Sequence, residues 1–187
     1  KRIRDIKLSS KTNWRRKLLN TFFLNYKKCP FFAETYDLLE TIVRHETDSL
    51  SELATRSITQ VCQHLLINTE IVENPLFEEL ETSLKSGDLS AAFPTIQLAR
   101  PERKVFRVIA VCHMMKAAEF RNAIGGQALY DKSDFRANGV DLFFLRSRDE
   151  PYQQATSEYY PGLSITDVLM NCGKEGTIKL LSNYDLV

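Results

Sequence analysis

The chain has 187 residues, enough to bury a hydrophobic core without disulfides or structural metals, and we expect a single domain over residues 1–187. Its 25 basic and 24 acidic side chains nearly balance, which argues against nucleic acid as a partner. With 43% hydrophobic and 26% charged residues, the composition is that of a globular protein and excludes a disordered one.

The first predicted element is a strand over residues 3–9. Because a strand at the extreme terminus needs a partner, we expect that an N-terminal portion of the full-length fold is missing. Apolar residues at helical spacing then predict helices over residues 12–28, 31–46 and 49–65. Thr12 or Asn13 can cap the first helix, Pro30 ends it, and Ser49 with Glu52 forms a capping box for the third.

A short strand is predicted over residues 68–74. Residues 75–100 are punctuated by Gly87, Ser90 and Pro94, and we interpret them as a variable surface excursion. A helix follows over residues 102–116, with Pro101 suited to its first turn.

Residues 118–123 and 140–145 are predicted strands, separated by Gly125-Gly126 and a short helix over 132–139. Ser133 is the expected cap of that helix and Gly139 its end. Two closing helices, over 163–173 and 176–184, are separated by Gly173 and Gly176. Helix, strand, short helix and strand in this order predict an α/β fold. We expect it to be helix-rich, with a small, partly parallel sheet covered by helices.

The glycine pair is a candidate anion site. Gly125 and Gly126 lie between a strand and a helix, where main-chain amides can approach an anion closely, and Tyr130 follows the loop. The basic residues Arg103, Lys104 and Arg107 share one side of the preceding helix and suit a phosphate or carboxylate. A turn without a ligand is the more common reason for such a pair, and both interpretations stay open.

A second basic cluster, Arg15, Arg16 and Lys17, lies at a predicted helix start. Cations there oppose the helix dipole, so a compensating partner or a bound anion would explain them. A solvated helix face is the more common explanation of such a cluster, and we favour it here.

Residues 150–163 are rich in hydroxyl, amide and aromatic groups, and Tyr152 and Gln154 are candidates for holding a sugar or nucleobase. Ser164 and Asp167 fit a capping box, which gives Asp167 a structural role. The histidines do not converge and no metal motif or Ser-His-Asp arrangement is present, so the sequence identifies no catalytic residue, metal or cofactor.

The four cysteines are far apart in the sequence, at Cys29, Cys62, Cys112 and Cys172. This spacing favours reduced, buried thiols over disulfides or zinc ligands. Neither a membrane-spanning run nor a signal peptide is visible, so we expect a cytoplasmic protein without membrane insertion.

Several stretches resemble motifs of the WbqC-like protein family. The N-terminal stretch matches that family at Ile3, Asp5, Ile6, Asn13, Trp14, Arg15, Lys17, Tyr26, Pro30, Phe31 and Phe32. Residues 123–145 resemble its Gly-Gly loop with the following tyrosine, helix and strand. PYQQ and YYPGLSITDVLMNCG resemble its Tyr-x-Gln step and its ending, which includes Asp167 and Asn171.

The resemblance implies that the chain is the C-terminal two-thirds of a WbqC-like domain. The family's opening segment, of the type Gln-Pro-x-Tyr, is not present in these residues. Asp149, Glu150 and Pro151 also replace the His-Pro that precedes the family's Tyr-x-Gln step. The resemblance marks Asn13, Trp14, Asp167 and Asn171 as motif positions and assigns them no role.

The resemblance implies a transferase in surface-polysaccharide assembly, moving an amino-acyl group such as glycine to an amino sugar. Its partner would be a nucleotide-sugar or another phosphorylated small molecule, and homo-oligomers remain open. One alternative is a non-catalytic interaction module that uses an exposed surface of Phe22, Phe23, Phe31 and Phe32. Another is an ATP-dependent ligase whose nucleotide motif lies in the missing segment.

Overall fold

The computed structural model describes residues 2–72, 80–82, 93–97 and 103–187, with Arg103 described through its backbone alone. The predicted excursion at 75–100 and Pro101 therefore lie largely outside the described residues. Two compact units form: one from Lys1–Ile71 and Asp149–Asn183, the other from Val72–Arg148 and Tyr184–Val187.

The elements are numbered in chain order. They are α1 (Trp14–Tyr26), α2 (Phe32–Val43), α3 (Leu50–His64), α4 (Arg103–Met114), β1 (Glu119–Ala123), α5 (Lys132–Ala137), β2 (Asp141–Ser147), α6 (Ile165–Leu181) and β3 (Tyr184–Leu186). Two 3₁₀ turns, Ile3–Asp5 and Ile124–Ala128, complete them. None of the described helices is long and apolar enough to span a bilayer.

The first unit contains α1, α2, α3 and α6, and the three predicted N-terminal helices are confirmed. Ser49 is the N-cap of α3, and its hydroxyl accepts from the Glu52 amide at 3.4 Å. Asn13 takes the N-cap position of α1 without a side-chain capping bond. Pro30 lies in the short connection between α1 and α2, where its ring prevents α1 from continuing.

The strand predicted over residues 3–9 is wrong. Ile3–Asp5 is a 3₁₀ turn, and the pairing that follows is an isolated antiparallel bridge between Lys7 and Ser49. A single bridge does not make a ladder, so the apolar residues Ile3, Ile6 and Leu8 were insufficient evidence for a strand. The strand predicted over 68–74 is also wrong for residues 68–72, which are irregular, while residues 73 and 74 lie outside the described part.

The predicted break at Gly173 is present as a kink inside α6, whereas Gly176 lies within the helix. Gly173 has φ 64° and ψ −172° inside α6, a conformation that breaks the helical hydrogen-bond pattern. The Met170 carbonyl accepts instead from the Phe31 amide at 3.2 Å, so the start of α2 is joined to the kink of α6. The core around this junction is formed by Cys29, Leu39 and Met170 with Phe22, Tyr26, Phe32 and Tyr36.

The second unit contains a three-stranded mixed sheet in the order β1-β2-β3. β1 and β2 are parallel, with Glu119 opposite Asp141, and β3 is antiparallel to β2, with Leu186 opposite Leu145. The predicted parallel pair and the helix-rich α/β class are thus confirmed. β3 was not predicted, because the last expected helix was extended to Tyr184.

Buried side chains from α4, α5 and β2 form the core of this unit. They include Val105, Ile109, Cys112, Phe135, Val140, Leu142 and Phe144. Gly139, at φ 72°, follows α5 as predicted, but the N-cap is Asp131, whose carboxylate accepts from the Ser133 amide at 2.9 Å. The prediction of Ser133 as the cap was wrong because α5 begins one residue before it.

Candidate functional site

A buried carboxylate lies in the first turn of α6. Asp167 is 7% exposed, and its Oδ1 accepts from the Tyr152 hydroxyl at 2.7 Å and from Asn171 Nδ2 at 3.2 Å. The Asn171 amide also donates to the Asp167 carbonyl at 2.9 Å. The capping-box interpretation of Asp167 was wrong: Ser164 is the N-cap, but its hydroxyl accepts from Thr166, and the carboxylate is turned towards Tyr152.

Two tyrosine hydroxyls face this carboxylate. Burial raises the pKa of Tyr152 well above its ordinary value of 10.0, and the hydrogen bond to Asp167 raises it further. Burial and then the charge and hydrogen bond of Asp167 also raise the pKa of Tyr26, which ends α1. Both phenols therefore stay protonated at neutral pH and can serve as hydrogen-bond donors.

Two thiols lie within the electrostatic influence of Asp167. Burial raises the pKa of Cys29 and of Cys172, and the negative charge of Asp167 adds to the effect in both. Because the thiolate is the reactive form of cysteine, these two side chains are poor nucleophiles in this environment. The chemistry of the site therefore belongs to the carboxylate and the phenols.

The loop that carries Tyr152 is held by Gln154. The Gln154 amide donates to the Tyr160 carbonyl at 2.8 Å and accepts from the Tyr160 amide at 2.9 Å. Tyr159 lies edge-on to the Tyr152 ring, with the ring centroids 5.8 Å apart. Gln154 thus shapes the loop through main-chain contacts, and the ring of Tyr159 supports the position of Tyr152.

The glycine pair lies in the second unit, in the Ile124–Ala128 turn. Gly126 is buried beneath Asn122 and Phe144, and its carbonyl accepts from the amides of Leu129 and Tyr130. Gly125 is exposed, with open space beside it. The Tyr130 ring packs edge-on against Phe120 and Phe135.

An open cavity of about 520 Å³ adjoins this turn. It is lined by Gln127, Ala128, Leu129, Tyr130, Asp131, Lys132 and Phe144. Its basic and acidic side chains are Lys132 and Asp131, so the described lining carries no excess of positive charge. Lys104 and Arg107 are not part of that lining. Both are exposed on α4, where Arg107 forms an ion pair with Glu81 at 2.8 Å, and the Arg103 side chain lies outside the described residues.

Asn13 and Trp14 lie at the N-terminus of α1, the opposite end of that helix from Tyr26. The Arg15 guanidinium stacks over the Trp14 ring at 4.6 Å. The length of α1 therefore separates Asn13 and Trp14 from Tyr26 and the carboxylate site. Among the described residues, no group of three or more histidine, cysteine, aspartate or glutamate side chains is placed to hold a metal ion.

The motifs of both units fall within a single family match, because the model of the WbqC-like protein family aligns with residues 1–179. The chain belongs to the WbqC-like protein family. The match includes every residue around Asp167 and ends before β3. No curated protein and no solved structure matches this WbqC-like chain at a significant level.

The sequence singled out Tyr152 as a sugar or nucleobase contact, Asp167 as a helix cap and Asn171 as a motif position, without bringing them together. It gave no indication that Tyr26, Cys29 and Cys172 lie near Asp167. A signal existed for Tyr26, because it is one of the positions at which the N-terminal stretch resembles the family. The sequence separation between Tyr26 and Asp167 hid their proximity.

Proposed function

We propose that this WbqC-like protein transfers an amino-acyl group, such as glycyl, to the amine of an amino sugar. We place that reaction in the cytoplasm, in the assembly of a surface polysaccharide. The observation that supports the proposal is the Asp167 carboxylate, buried at 7% exposure and oriented by Tyr152 and Asn171. The family membership of the chain supports the same class of reaction.

In this proposal Asp167 is the general base. The sugar amine attacks the acyl carbon of an activated glycyl ester or thioester, and a carbon–nitrogen bond forms as the acyl–oxygen or acyl–sulfur bond breaks. The proton of the attacking nitrogen passes to Asp167 and is then returned to the departing alcohol or thiol. A carboxylate held by two side-chain donors is fixed in position for this role, as general-base catalysis requires.

The raised thiol pKa values favour a direct transfer. An acyl-cysteine intermediate would need a thiolate, and the pKa values of Cys29 and Cys172 are raised by burial and by Asp167. We therefore propose that the acyl group passes to the amine in one displacement. The hydroxyl protons of Tyr26 and Tyr152 are directed at Asp167, so these phenols hold the carboxylate, and their oxygens can accept hydrogen bonds from sugar hydroxyls.

The test is an acyl-transfer assay with the purified protein. UDP- and dTDP-linked amino sugars are incubated with a glycyl thioester or glycyl ester, and the glycylated sugar is detected by mass spectrometry. Asp167→Asn keeps the shape of the side chain and removes the base, so we expect kcat to fall by about 10²–10⁴-fold. Asp37→Asn on α2 is the matched control, because Asp37 is exposed.

Two different outcomes would contradict the proposal, one concerning the activity and the other concerning the role of Asp167. If no donor and acceptor pair gives product with the unmodified protein, transfer to an amino sugar is not its activity. If a folded Asp167→Asn variant keeps the unmodified rate, transfer takes place without Asp167 as its base. Circular dichroism of both variants separates loss of chemistry from loss of fold.

A second candidate function is an interaction module, which the exposure of two aromatic rings favours. Phe23 is 44% exposed and Phe31 is 40% exposed, whereas Phe22 and Phe32 are partly buried. The Phe23 ring lies edge-on to Phe32, with centroids 5.7 Å apart. If Phe23→Ser with Phe31→Ser leaves acyl transfer unchanged, catalysis does not require these two rings, as an interaction surface separate from the catalytic site would predict.

A further inference from the structure

An arginine-lined cavity lies at the N-terminus of α1. Its volume is about 610 Å³, a size that suits a small ligand. It is lined by Asn13, Arg15, Arg16, Arg44, Glu46 and Thr47. All of these residues belong to the first unit and are described, and three of the six carry a positive charge.

Arg15 contributes a positive charge that its contacts leave uncompensated. Its Nε donates to the Val43 carbonyl at 2.9 Å, and its Nη2 donates to the carbonyls of His45 and Thr47 at 3.1 and 2.8 Å. These acceptors are neutral main-chain oxygens, and within the described residues the guanidinium has no carboxylate partner. The Nη1 group remains available for an anion in the cavity.

The other charged residues of the lining favour an anion as well. Arg16 is exposed and has no ion pair with any described residue. Arg44 shares its charge with Glu40, at 2.8 Å, but is 67% exposed. Glu46 is the acidic residue of the lining, so the charge of the cavity remains positive.

The start of α1 adds main-chain donors. The amides of Trp14, Arg15 and Arg16 precede the first helical bond, which runs from the Lys17 amide to the Asn13 carbonyl at 3.1 Å. Asn13 does not cap them with its side chain, and the first turn contains no acidic residue. Free amides and the helix dipole strengthen the attraction that the arginines provide.

We propose that this arginine cavity binds the phosphoryl groups of a small molecule, with Arg16 and Arg15 as the principal side chains. Guanidinium groups favour phosphate because their paired N–H donors match its oxygens. The site is distinct from the Asp167 site: Arg16 and Tyr26 are separated by roughly 15 Å along the axis of α1, at about 1.5 Å per residue. It extends the proposed function without depending on it.

Binding of inorganic pyrophosphate to the whole chain, measured by titration calorimetry, tests this inference. Arg16→Gln should weaken binding by about tenfold, because it removes one charged donor of the site. Lys17→Gln is the matched control: it removes the same charge from the next residue of α1, which is exposed and outside the cavity lining. Glu46→Gln should tighten binding several-fold by removing the opposing charge.

Several outcomes overturn the inference: no binding of pyrophosphate, equal weakening by Arg16→Gln and Lys17→Gln, or no change with Arg16→Gln. Uridine diphosphate in a parallel titration identifies the source of the phosphoryl groups. Equal affinities for pyrophosphate and uridine diphosphate indicate that the phosphates alone are recognised. Tighter binding of uridine diphosphate, weakened by Arg16→Gln, indicates that the site takes a nucleotide. Asp167→Asn should leave both affinities unchanged, which separates this site from the proposed catalytic one.

Discussion

The Tyr152 hydroxyl and the Asp167 carboxylate are 2.7 Å apart, a hydrogen bond that joins an irregular loop to the first turn of α6. The same Asp167 oxygen, Oδ1, also accepts a hydrogen bond from the side-chain amide of Asn171, one helical turn further along α6. The loop, the helix and the buried charge are therefore coupled, and a change in any one of the three side chains affects the other two.

Tyr152→Phe removes a donor from the buried carboxylate and leaves the ring in place. We expect the free energy of unfolding to fall by about 1.5–3 kcal/mol, the usual range for a hydrogen bond to a charged group. Urea denaturation followed by circular dichroism measures the change. Tyr160→Phe is the control, because the Tyr160 side chain is exposed and its hydroxyl contacts the exposed Glu158. Equal losses in the two variants would contradict a special role for the Tyr152 bond.

Stability should decrease at alkaline pH. The folded chain holds the Tyr152 proton more tightly than the unfolded chain, whose tyrosines titrate near 10.0. The stabilisation is therefore complete below pH 10 and is lost as the pH rises above about 10. The raised pKa values of Tyr26, Cys29 and Cys172 act in the same direction.

Urea denaturation midpoints between pH of about 8 and about 11 measure this effect. The decrease should be smaller in Tyr152→Phe than in the unmodified protein, because the phenol that titrates is absent. A Tyr152→Phe curve parallel to that of the unmodified protein would show that another group causes the alkaline loss.

The helices and the parallel strands could be predicted from the sequence because their signals are local. The spacing of apolar residues in α1 to α3 and the glycine between α5 and β2 report on nearby structure. The strand prediction for residues 3–9 failed because Ile3, Ile6 and Leu8 are only a local apolar signal, and a strand depends on a partner that lies elsewhere in the chain. The bridge to Ser49 could not be read from that segment alone.

The site was only partly predictable because its groups meet through tertiary structure. Ser164 and Asp167 have the spacing of a capping box, and a local pattern offers no reason to expect the carboxylate to turn away. The Tyr152 hydroxyl, on a loop, donates to the Asp167 carboxylate instead. Because this hydrogen bond is buried, it contributes more to stability than an exposed capping bond would. The acceptors of Arg15 could not be predicted either. They are main-chain carbonyls at and after the end of α2, which are free to accept only because that helix ends there.

Arg15 should be important for stability. Arg15→Lys replaces a planar fork by a single ammonium, which cannot reach the carbonyls of Val43, His45 and Thr47 together. We expect a loss of about 1–3 kcal/mol in the free energy of unfolding. Arg16→Lys makes the same chemical change at an exposed neighbour and should stay within about 0.5 kcal/mol. Chemical denaturation of Arg15→Lys and Arg16→Lys decides whether Arg15 stabilises the end of α2 or is merely a solvated cation.

Gly173 is the most sensitive glycine of the first unit. Its φ of 64° strains any side chain, and a Cβ there would lie 2.5 Å from Cδ1 of the Phe31 ring. Backbone strain of about 1–3 kcal/mol and overpacking of about 1–3 kcal/mol add up, so Gly173→Ala should destabilise by about 2–6 kcal/mol. Thermal and urea denaturation measure the loss.

Two glycines separate the contributions to that loss. Gly162 has φ 70° with open space around it, so Gly162→Ala should show the backbone strain alone, about 1–2 kcal/mol. Gly125 has open space and no positive φ, and Gly125→Ala should change stability by less than about 0.5 kcal/mol. Equal losses at Gly173 and Gly162 would mean that the Phe31 ring moves aside freely. A larger loss at Gly173 shows that Phe31 is fixed against the kink, and with it the turn of α6 that carries Asn171.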